Sequence, residues 1–460
     1  MNFTQKQLQD WIACREKEMV EDIRRLVRIP SIAEQGTTEE APYGAACKAV
    51  LEEMRQIGRE KGFNTENHGN RLVSFLYGEG DREIGIWGHL DVVPEGEGWK
   101  YPPFDCTRVR GFLIGRGTQD NKGPAIAVLY AMAFLKEKGF RPEVRFRQIL
   151  GCMEEQGMED AEYYLAHEKA PDFSFVSDCR FPVCCGEKGI LNLRIRSSKV
   201  TGGLEKLHGG TAPNAIAARA EAIVRGKHFY AEGIAGHAAF PEGGKNALGV
   251  LCRQLLQAPG LECEPALKMA ALLGSEGYGF GAGIACSDEK SGRLTCNLGT
   301  LELKQGRLEG ELDIRYPVTK KAGEILKKLE GFLDDFGCEI IHQADSPPYF
   351  ISSEDPRVQC LTDAYRQAMH VREPKPYTMG GGTYARKLPR TVGFGPGMPA
   401  DLSDLDLPKG HGNGHGADEA QSIKNLQKAI EIYVYALLNL SNYYGNQEEI
   451  QGKEKAERAE

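Results

Sequence analysis

The sequence lacks the features that mark membrane, secreted and nucleic-acid-binding proteins. It has no run of ~20 consecutive apolar residues, which a membrane-spanning helix needs, and its charged beginning has no apolar region of the signal-peptide kind. No cluster of Lys and Arg accompanies the net charge of −8, so a phosphate backbone is not an expected ligand. These absences predict a cytoplasmic protein with neither membrane nor nucleic acid as a partner.

The cysteines also lack the spacing of a cysteine metal site. The 13 cysteines are scattered and odd in number, and the adjacent pair Cys184-Cys185 forms no CxxC pattern. Free thiols in a reducing compartment explain them better than disulfides do. At 460 residues, with 41% hydrophobic and 27% charged residues, the chain is an ordinary globular protein of two or three domains.

Hydrophobic periodicity divides the chain into two regions. Up to about residue 188, strand patterns such as 72–77 and 84–87 alternate with helical patterns such as 122–138, which predicts an α/β domain with a mixed, mostly parallel sheet and helices on both faces. Beyond it, alternating strands, with helices near 215–224, 245–256 and 320–336, predict an α+β domain with an antiparallel sheet. A closing helix is predicted at 420–442.

The stretch from Ile84 to Gly123 holds the first candidates for a site. An apolar strand pattern ends at His89, and Asp91 follows two residues later. Asp120 stands between a short apolar stretch, 111–115, and a helical pattern, so we expect it at a strand-to-helix turn. Both groups are expected at neighbouring strand ends, where open α/β sheets build their sites.

Further acidic and imidazole groups follow other predicted strands. Glu154-Glu155 comes after one strand, Asp178 after the next, and His415 lies in a glycine-rich loop near the end. Imidazole and carboxylate ligands suit a pair of divalent ions, with Asp120 as the bridging carboxylate. Each residue alone has a simpler explanation, such as a helix N-cap for Asp120 or a solvated surface for the paired glutamates.

Seven motifs identify a family when they are taken in order. They are GHLDVVP, GRGTQDNKG, MEEQGM, the Asp178 loop with GEKG, GHAAFPEGGKNAL, GGTYAR and HGADE. The sequence therefore resembles the co-catalytic metallopeptidases that include dipeptidase V, succinyl-diaminopimelate desuccinylase and acetylornithine deacetylase. The resemblance extends from LVRIPSI at residues 26–32 to the closing helix, and the dipeptidase V branch is the most similar.

The resemblance implies roles for the residues of these motifs. One metal ion would be bound by His89, Asp120 and Asp178, and the other by Asp120, Glu155 and His415. Asp91 would orient the imidazole of His89, and Glu154 would be the general base. The family also implies a cis peptide after its bridging aspartate, here Asp120-Asn121. His411, four residues before His415, is expected to be a loop residue, because the glycines around it argue against a helix that would place both histidines on one face.

The middle region is expected to contribute to catalysis and substrate binding. His237 resembles the histidine with which the family polarises the scissile carbonyl. Asn214, Arg315 and the loop containing Gly381, Gly382 and Thr383 resemble groups that hold the terminal carboxylate of the substrate. Arg315 can instead be a strand residue paired with a nearby acid, and the glycines can form a tight turn.

The implied activity is metal-dependent hydrolysis of dipeptides or short peptides. Two divalent ions are expected as cofactors, with zinc first and manganese or cobalt as alternatives. The implied architecture is a catalytic domain of residues 1–188 and 379–445, an inserted lid of residues 189–378 and a disordered tail of residues 446–460. In the dipeptidase V branch an enlarged lid stands in for a partner subunit, so the resemblance implies a monomer, with a homodimer as the alternative. The competing functions are deacylation of N-acyl amino acids and, in another class, metal binding without catalysis.

Overall fold

The computed structural model describes residues 3–34, 36, 38–262 and 264–457, with side chains up to residue 447. The helices are α1 (Gln5–Cys14), α2 (Glu16–Val27), α3 (Ala45–Glu60), α4 (Lys122–Glu137), α5 (Glu159–His167), α6 (Ala247–Leu255), α7 (Pro265–Leu273), α8 (Ala322–Asp334), α9 (Pro356–Met369) and α10 (Ile423–Glu457). Short 3-10 turns lie at Glu154–Gln156, Tyr384–Arg386 and Ser403–Leu405. Over the described residues, no helix combines the length and the apolarity needed to cross a lipid bilayer.

The strands are short in the first part of the chain and longer in the middle. They are β1 (Asn64–His68), β2 (Leu72–Tyr77), β3 (Glu83–His89), β4 (Thr107–Val109), β5 (Phe112–Ile114), β6 (Arg145–Gly151), β7 (Phe173–Val176), β8 (Cys179–Arg180), β9 (Cys184–Glu187), β10 (Gly189–Lys199), β11 (Leu204–Gly209), β12 (Arg219–Val224), β13 (Lys227–Glu232), β14 (Ser287–Asp288), β15 (Gly292–Arg293), β16 (Thr295–Lys304), β17 (Arg307–Tyr316), β18 (Cys338–Ser346), β19 (Tyr349–Phe350), β20 (Tyr377–Met379), β21 (Thr391–Gly393), β22 (Pro396–Gly397) and β23 (Ala420–Ser422).

The chain folds into two compact units. Unit 1 consists of Met1–Cys185, Ile351–Tyr377 and Thr383–Glu460, and unit 2 consists of Gly186–Phe350 and Thr378–Gly382. Unit 1 is therefore assembled from three separate segments of sequence.

Unit 1 is built on a mixed sheet that begins in the order β1-β2-β6-β3-β7-β21-β9. The four central strands β6, β3, β7 and β21 pair in parallel. Strands β1 and β2 on one side and β9 on the other are added by antiparallel pairing. The central strand β3 is buried along almost its whole length, as expected for a parallel strand covered on both faces. The α/β class and the mixed sheet predicted from the periodicity are confirmed.

The carboxyl ends of three adjacent parallel strands meet at one edge of this sheet. His89 ends β3, Glu154 and Glu155 follow β6, and Asp178 follows β7. Gly88 permits a close approach here, because a Cβ at that position would lie 2.6 Å from the Asn121 side-chain oxygen. The topology thus brings segments that are distant in sequence to a single edge.

Asp120 reaches this edge from outside the main sheet. Strand β5, which precedes Asp120, belongs to a small sheet of order β23-β5-β4. The prediction that Asp120 follows a strand neighbouring the one that ends at His89 is therefore wrong. The apolar stretch 111–115 is too short to reveal its partners, and those include β23, about 300 residues later. Asp120 does precede helix α4, as predicted.

Unit 2 contains an antiparallel sheet in the order β13-β12-β11-β16-β17-β10-β18. Its core consists of the apolar faces of these strands and of α6, α7 and α8. Alternation is clear in β10, where Leu191, Leu193 and Ile195 are buried and the residues between them are exposed or half-buried. The α+β character predicted for this region is confirmed.

Residues 215–224 were predicted to be helical, and this prediction is wrong. Residues 219–224 form β12, with Ala220, Ala222 and Val224 buried and Arg219 and Glu221 exposed. This period of two is that of a strand, and pairing with β11 and β13 fixes it. The helical appearance came from the alanines, whose propensity tertiary pairing overrides.

Two further boundaries differ from the prediction. Residues 351–377, predicted within the inserted region 189–378, belong to unit 1, because α9 packs against α10 and the Asn439 side chain donates to the Cys360 carbonyl at 3.1 Å. The tail predicted to be disordered, 446–460, is helical through residue 457, and 458–460 lie outside the described residues. Its Gln, Glu, Lys and Ala residues have high helix propensity and extend a helix that is already nucleated.

Candidate metal centre

Two histidines and three carboxylates converge in unit 1. They are His89 at the end of β3, Asp120 before α4, Glu155 in the 3-10 turn after β6, Asp178 after β7 and His415 in the loop before β23. These are the five side chains predicted as metal ligands. The structure brings all of them together from five points of the chain.

Asp120 lies between the two histidines. Its Oδ1 is 2.9 Å from His89 Nε2, and its Oδ2 is 3.1 Å from His415 Nε2. On the outer sides, Asp178 Oδ2 is 3.5 Å from His89 Nε2, and Glu155 Oε1 is 3.0 Å from His415 Nε2. The centre therefore has two halves, each with one imidazole and one carboxylate, and Asp120 presents one oxygen to each half.

The donor set fits divalent cations. Two groups of three side chains each bring one possible ligand atom per residue to within 4.8 Å of one another. The first group is His89, Glu154 and Asp178, and the second is His89, Asp120 and Glu155. Four carboxylates buried or half-buried around two imidazoles carry an excess of negative charge, which needs compensation in a region screened from water. Oxygen and imidazole ligands in this number are those of zinc and of neighbouring divalent metals.

The ionisation of these groups reflects the same crowding of charge. Burial lowers the pKa of His89, but hydrogen bonds to Asp120 and Asp178 outweigh it and hold that pKa well above its usual range. Hydrogen bonds to Asp120 and Glu155 raise the pKa of His415 to about 11. Burial raises the pKa of Glu155 and of Asp178, whereas the two histidines hold the pKa of Asp120 below its usual range against the effect of burial.

Asp91 supports His89 on the side away from the centre. The Nδ1 atom of His89 lies 3.0 Å from the Asp91 carbonyl oxygen and 3.3 Å from Asp91 Oδ1, so Nε2 faces the other carboxylates. The other Asp91 oxygen accepts a hydrogen bond from the Glu155 backbone N–H at 3.0 Å. One buried carboxylate therefore connects a residue of each half of the centre, in the way that residues behind metal ligands fix their orientation.

Glu154 lies within reach of the centre with a free oxygen. Its side chain is 8% exposed, and its Oε1 has no hydrogen-bond partner among the described residues. Burial raises the pKa of Glu154 well above its usual range. A buried carboxylate oxygen without a partner is costly to maintain and is available to accept a proton.

Asn121 connects several parts of the centre, although no role was predicted for it. The Asp120-Asn121 peptide bond is cis, as the resemblance implied. The Asn121 side-chain oxygen accepts from the backbone N–H of His89 at 3.3 Å. Its amide nitrogen donates to the Ser177 carbonyl at 2.7 Å and to Asp178 Oδ1 at 3.2 Å. Its position directly after Asp120, the predicted bridging ligand, was the only signal available in the sequence.

The histidine that precedes the candidate ligand has a separate function. His411 Nδ1 lies 2.7 Å from Asp418 Oδ2, and the Asp418 carboxylate also accepts from the backbone N–H groups of Lys100 and Tyr101. His411 is therefore a loop residue, as predicted. It helps to hold the loop that carries His415.

The predicted residues of unit 2 lie near one another within that unit. An isolated bridge pairs Ala215 with His237, and the Ala238 N–H donates to the Asn214 carbonyl at 2.9 Å. The side chains of His237 and Asn214 are both exposed. The structure thus places these two predicted groups on adjacent loops of unit 2.

Arg315 is already engaged in unit 2. Its guanidinium forms two bonds of 2.6 Å with the Asp313 carboxylate, and its Nη1 donates to the Gly380 carbonyl at 2.9 Å. The alternative of a strand arginine paired with an acid therefore accounts for much of its surroundings. Its contact with Gly380 also links it to the loop that continues to Gly381 and Gly382, and its contact with a substrate stays a prediction.

Thr383, in unit 1, is 3% exposed. Its hydroxyl accepts from the Ala385 N–H at 3.1 Å and caps the 3-10 turn Tyr384–Arg386. This explains the residue without a substrate, and its predicted contact with the substrate stays untested.

The sequence profile described as Peptidase family M20/M25/M40 matches residues 85–439. The chain belongs to this family. The family predicted from the seven motifs is thereby confirmed. The protein is a peptidase that uses divalent metal ions, and the carboxylate and histidine centre of unit 1 is compatible with them.

Individual relatives cover almost the whole chain. YtjP of Bacillus subtilis is 30% identical over 470 residues, which span 93% of this chain and 98% of the relative. The Beta-Ala-Xaa dipeptidase of Lactobacillus delbrueckii subsp. lactis is 28% identical over 93% of this chain and 97% of its own length. Human carnosine dipeptidase 1 shares the fold, with a TM-score of 0.61, 15% identity and coverage of 96% and 99% of the two chains.

Proposed function

We propose that this peptidase hydrolyses the peptide bond of dipeptides or short peptides at the centre in unit 1. The observation that carries the proposal is the position of Asp120, which presents one oxygen to His89 and the other to His415. Glu154 lies close by, and its Oε1 has no hydrogen-bond partner in the described part of the chain. The similarity to a Beta-Ala-Xaa dipeptidase over nearly the full length of both chains supports the substrate class.

The residues of the two halves would hold two divalent ions. His89, Asp120 and Asp178 would hold one, and Asp120, Glu155 and His415 the other. When bound, such a pair of ions polarises a carbonyl group and lowers the pKa of a water molecule. Zinc is the proposed metal because imidazole and carboxylate oxygen are its usual ligands, with manganese and cobalt as alternatives that the same ligands accept.

The side chains of unit 1 then handle orientation and proton transfer. Glu154, through its free Oε1, would take a proton from water and return it to the leaving amine. Asp91 would hold the His89 ring so that Nε2 faces the ligand carboxylates. His237 would donate to the carbonyl oxygen, and Asn214, Arg315, Gly381, Gly382 and Thr383 are proposed to contact the terminal carboxylate of the substrate.

A cavity in unit 1 supports a small substrate. It has a volume of about 400 Å³, and its wall includes Asp120 and Asp178 of the centre together with Arg180, Met398 and Asn425. Cavities of ~300–1,000 Å³ are those in which proteins enclose small molecules. A dipeptide suits such a space better than a folded protein does.

Quaternary structure and location belong to the same proposal. Unit 2 is proposed to be a lid inserted into the catalytic unit 1, and its large size favours a monomer in which His237 acts within its own chain, with a homodimer as the alternative. The described cysteines are all free thiols, which favours the reducing cytoplasm.

A substrate panel tests the proposal. Metal-stripped protein, reloaded in turn with zinc, manganese and cobalt, would be offered unblocked dipeptides and the matching N-acetyl and N-succinyl amino acids. We expect turnover of the dipeptides. Turnover confined to the acylated compounds would establish the deacylase alternative, and binding of metal without turnover of any compound would establish a non-catalytic protein.

A further inference from the structure

Arg116 and Glu419 form a buried ion pair beside the metal centre. Arg116 follows β5 and is 1% exposed, Glu419 precedes β23 and is 0% exposed, and Arg116 Nη1 lies 2.7 Å from Glu419 Oε2. The two residues belong to the motifs GRGTQDNKG and HGADE, which also contain the candidate ligands Asp120 and His415. The pair therefore connects two segments that each supply a ligand.

Glu419 fixes the backbone of the bridging aspartate. Its Oε1 accepts hydrogen bonds from the backbone N–H of Gln119 at 2.8 Å and from that of Asp120 at 3.1 Å. Its own carbonyl oxygen accepts from the Gly115 N–H at 2.9 Å. The Glu419 side chain, about 300 residues later in the sequence, thus sets the direction of the Asp120 side chain by fixing the backbone that carries it.

Arg116 fixes the backbone of the late histidine. Its Nη2 donates to the His415 carbonyl at 3.3 Å and to the carbonyls of Glu95 at 3.2 Å and Pro94 at 3.4 Å. His415 has a φ of 63°, a left-handed conformation that is uncommon for a residue with a side chain. Contacts from the surroundings must hold such a conformation, and the guanidinium provides one of them.

Stability alone is a poor reason for this arrangement. Burying both charges costs desolvation energy, and well-packed apolar residues commonly give equal or greater stability at such positions. What apolar residues cannot supply are the directed bonds to the backbone of Gln119, Asp120 and His415. Oriented bonds of this kind are what place metal ligands accurately.

We infer that the Arg116–Glu419 pair is a positioning device that sets the placement of Asp120 relative to His415, and that the affinity of the centre for divalent metal depends on it. The inference rests on the metal centre of the proposed function. Both residues act through the ligands and contact no substrate. Loss of such a supporting contact typically weakens metal binding by about 10–100-fold.

Two substitutions separate the contributions of the pair. Glu419→Gln keeps the volume but places an NH₂ group against either Arg116 or the two backbone N–H groups. Either the link to Arg116 or the bonds to Gln119 and Asp120 are then lost, and in both cases the placement of the shared ligand Asp120 relative to His415 is loosened. We expect both ions to bind about 10–100-fold more weakly. Arg116→Lys keeps the buried charge but cannot reach all three carbonyls, so we expect weakening of the ion held by His415 and little change in the other.

Asp22→Asn is the matched control. Asp22 is also a buried carboxylate of unit 1, 4% exposed, and is paired with Lys61 at 3.0 Å and Arg25 at 3.3 Å. This substitution is expected to lower the thermal midpoint without changing metal affinity. Dissociation constants for zinc and manganese would be measured on full-length, metal-stripped proteins by calorimetric titration, and melting curves would be recorded on the same samples.

The outcomes distinguish the inference from the function on which it rests. Weakened binding in Glu419→Gln, with unchanged affinity in Asp22→Asn, supports the inference. Unchanged affinity in folded Glu419→Gln would overturn it while the proposed function stands. If Glu419→Gln does not fold, unchanged affinity in Arg116→Lys overturns it in the same way. If the unsubstituted protein binds no divalent ion, the proposed function fails and the inference fails with it.

Discussion

Removal of the Tyr384 hydroxyl is expected to destabilise unit 1 by an amount that depends on pH. The hydroxyl donates to Asp160 Oδ2 at 2.6 Å, and both side chains are fully buried. The same carboxylate accepts from the backbone N–H groups of Cys152 and Met153, just before Glu154, and from that of Ala161. Tyr384→Phe leaves this carboxylate short of one donor while the shape of the core is kept.

The expected magnitude follows from the charge on Asp160. A hydrogen bond to a charged group contributes ~1.5–3 kcal/mol, so we expect a loss of about 2 kcal/mol in the free energy of unfolding at alkaline pH. Burial raises the pKa of Asp160 from its ordinary value of 3.8 to about 7, and the Tyr384 hydroxyl opposes that rise. The hydroxyl thus favours the ionised form. The full contribution of the hydroxyl to the free energy of unfolding is present above the folded-state pKa of Asp160. As the pH falls through that pKa, the contribution shrinks to about 1 kcal/mol, the value for a neutral hydrogen bond.

Tryptophan fluorescence during urea unfolding provides the assay. The chain has 3 tryptophans, Trp11, Trp87 and Trp99, which all belong to unit 1, and the Trp87 ring lies 5.6 Å from the Tyr384 ring. The two proteins would be compared well below and well above pH 7 with their metal content held equal. Tyr130→Phe is the control, because its hydroxyl donates at 2.8 Å to another buried aspartate of unit 1.

The result that would refute this reasoning is a loss of stability in Tyr384→Phe that is equal at all pH values, or no loss at alkaline pH. Either outcome would mean that Asp160 does not depend on the hydroxyl for its ionised state. The strand end that carries Glu154 would then need another explanation for its position.

Other perturbations of unit 1 have expected results of their own. Gly151→Ala should destabilise unit 1 by more than ~4 kcal/mol, as measured by urea unfolding, because a Cβ would lie 2.1 Å from Asp160 Oδ2. Addition of zinc or manganese at 100 times its dissociation constant should stabilise the folded protein by ~2.7 kcal/mol, and an unchanged melting curve would contradict a metal centre. Asp91→Asn should weaken metal binding by about 10–100-fold in calorimetric titrations, because Asp91 contacts both His89 and Glu155.

The sequence predicted the strand ends of unit 1 because their patterns are local. His89 ends a buried apolar strand and Asp178 follows another, and parallel strands bring such ends to one edge without any long-range information. His415 is different. Nothing in its glycine-rich loop indicates where it lies in space, and only the order of the motifs connected it with residues about 300 positions earlier.

The features that sequence reasoning missed depend on pairing between distant segments. Strand β5 lies outside the main sheet because it pairs with β23, and the same pairing brings Arg116 to Glu419. The alanine-rich segment 215–224 was predicted as a helix because β11 and β13, whose pairing makes residues 219–224 a strand, are not visible locally. Arg315 could be assigned to a substrate or to an acid, and only the structure shows its bond to Asp313.

Hydrolysis of an unblocked dipeptide, measured as metal is added back to stripped protein, tests the central claim most directly. We predict no turnover without metal, a rate that rises until two equivalents of ion are bound, and no such rise in Glu154→Gln, which keeps the ligand set. Turnover by the stripped protein, or an unchanged rate in Glu154→Gln, would contradict a two-metal centre in which Glu154 transfers the proton.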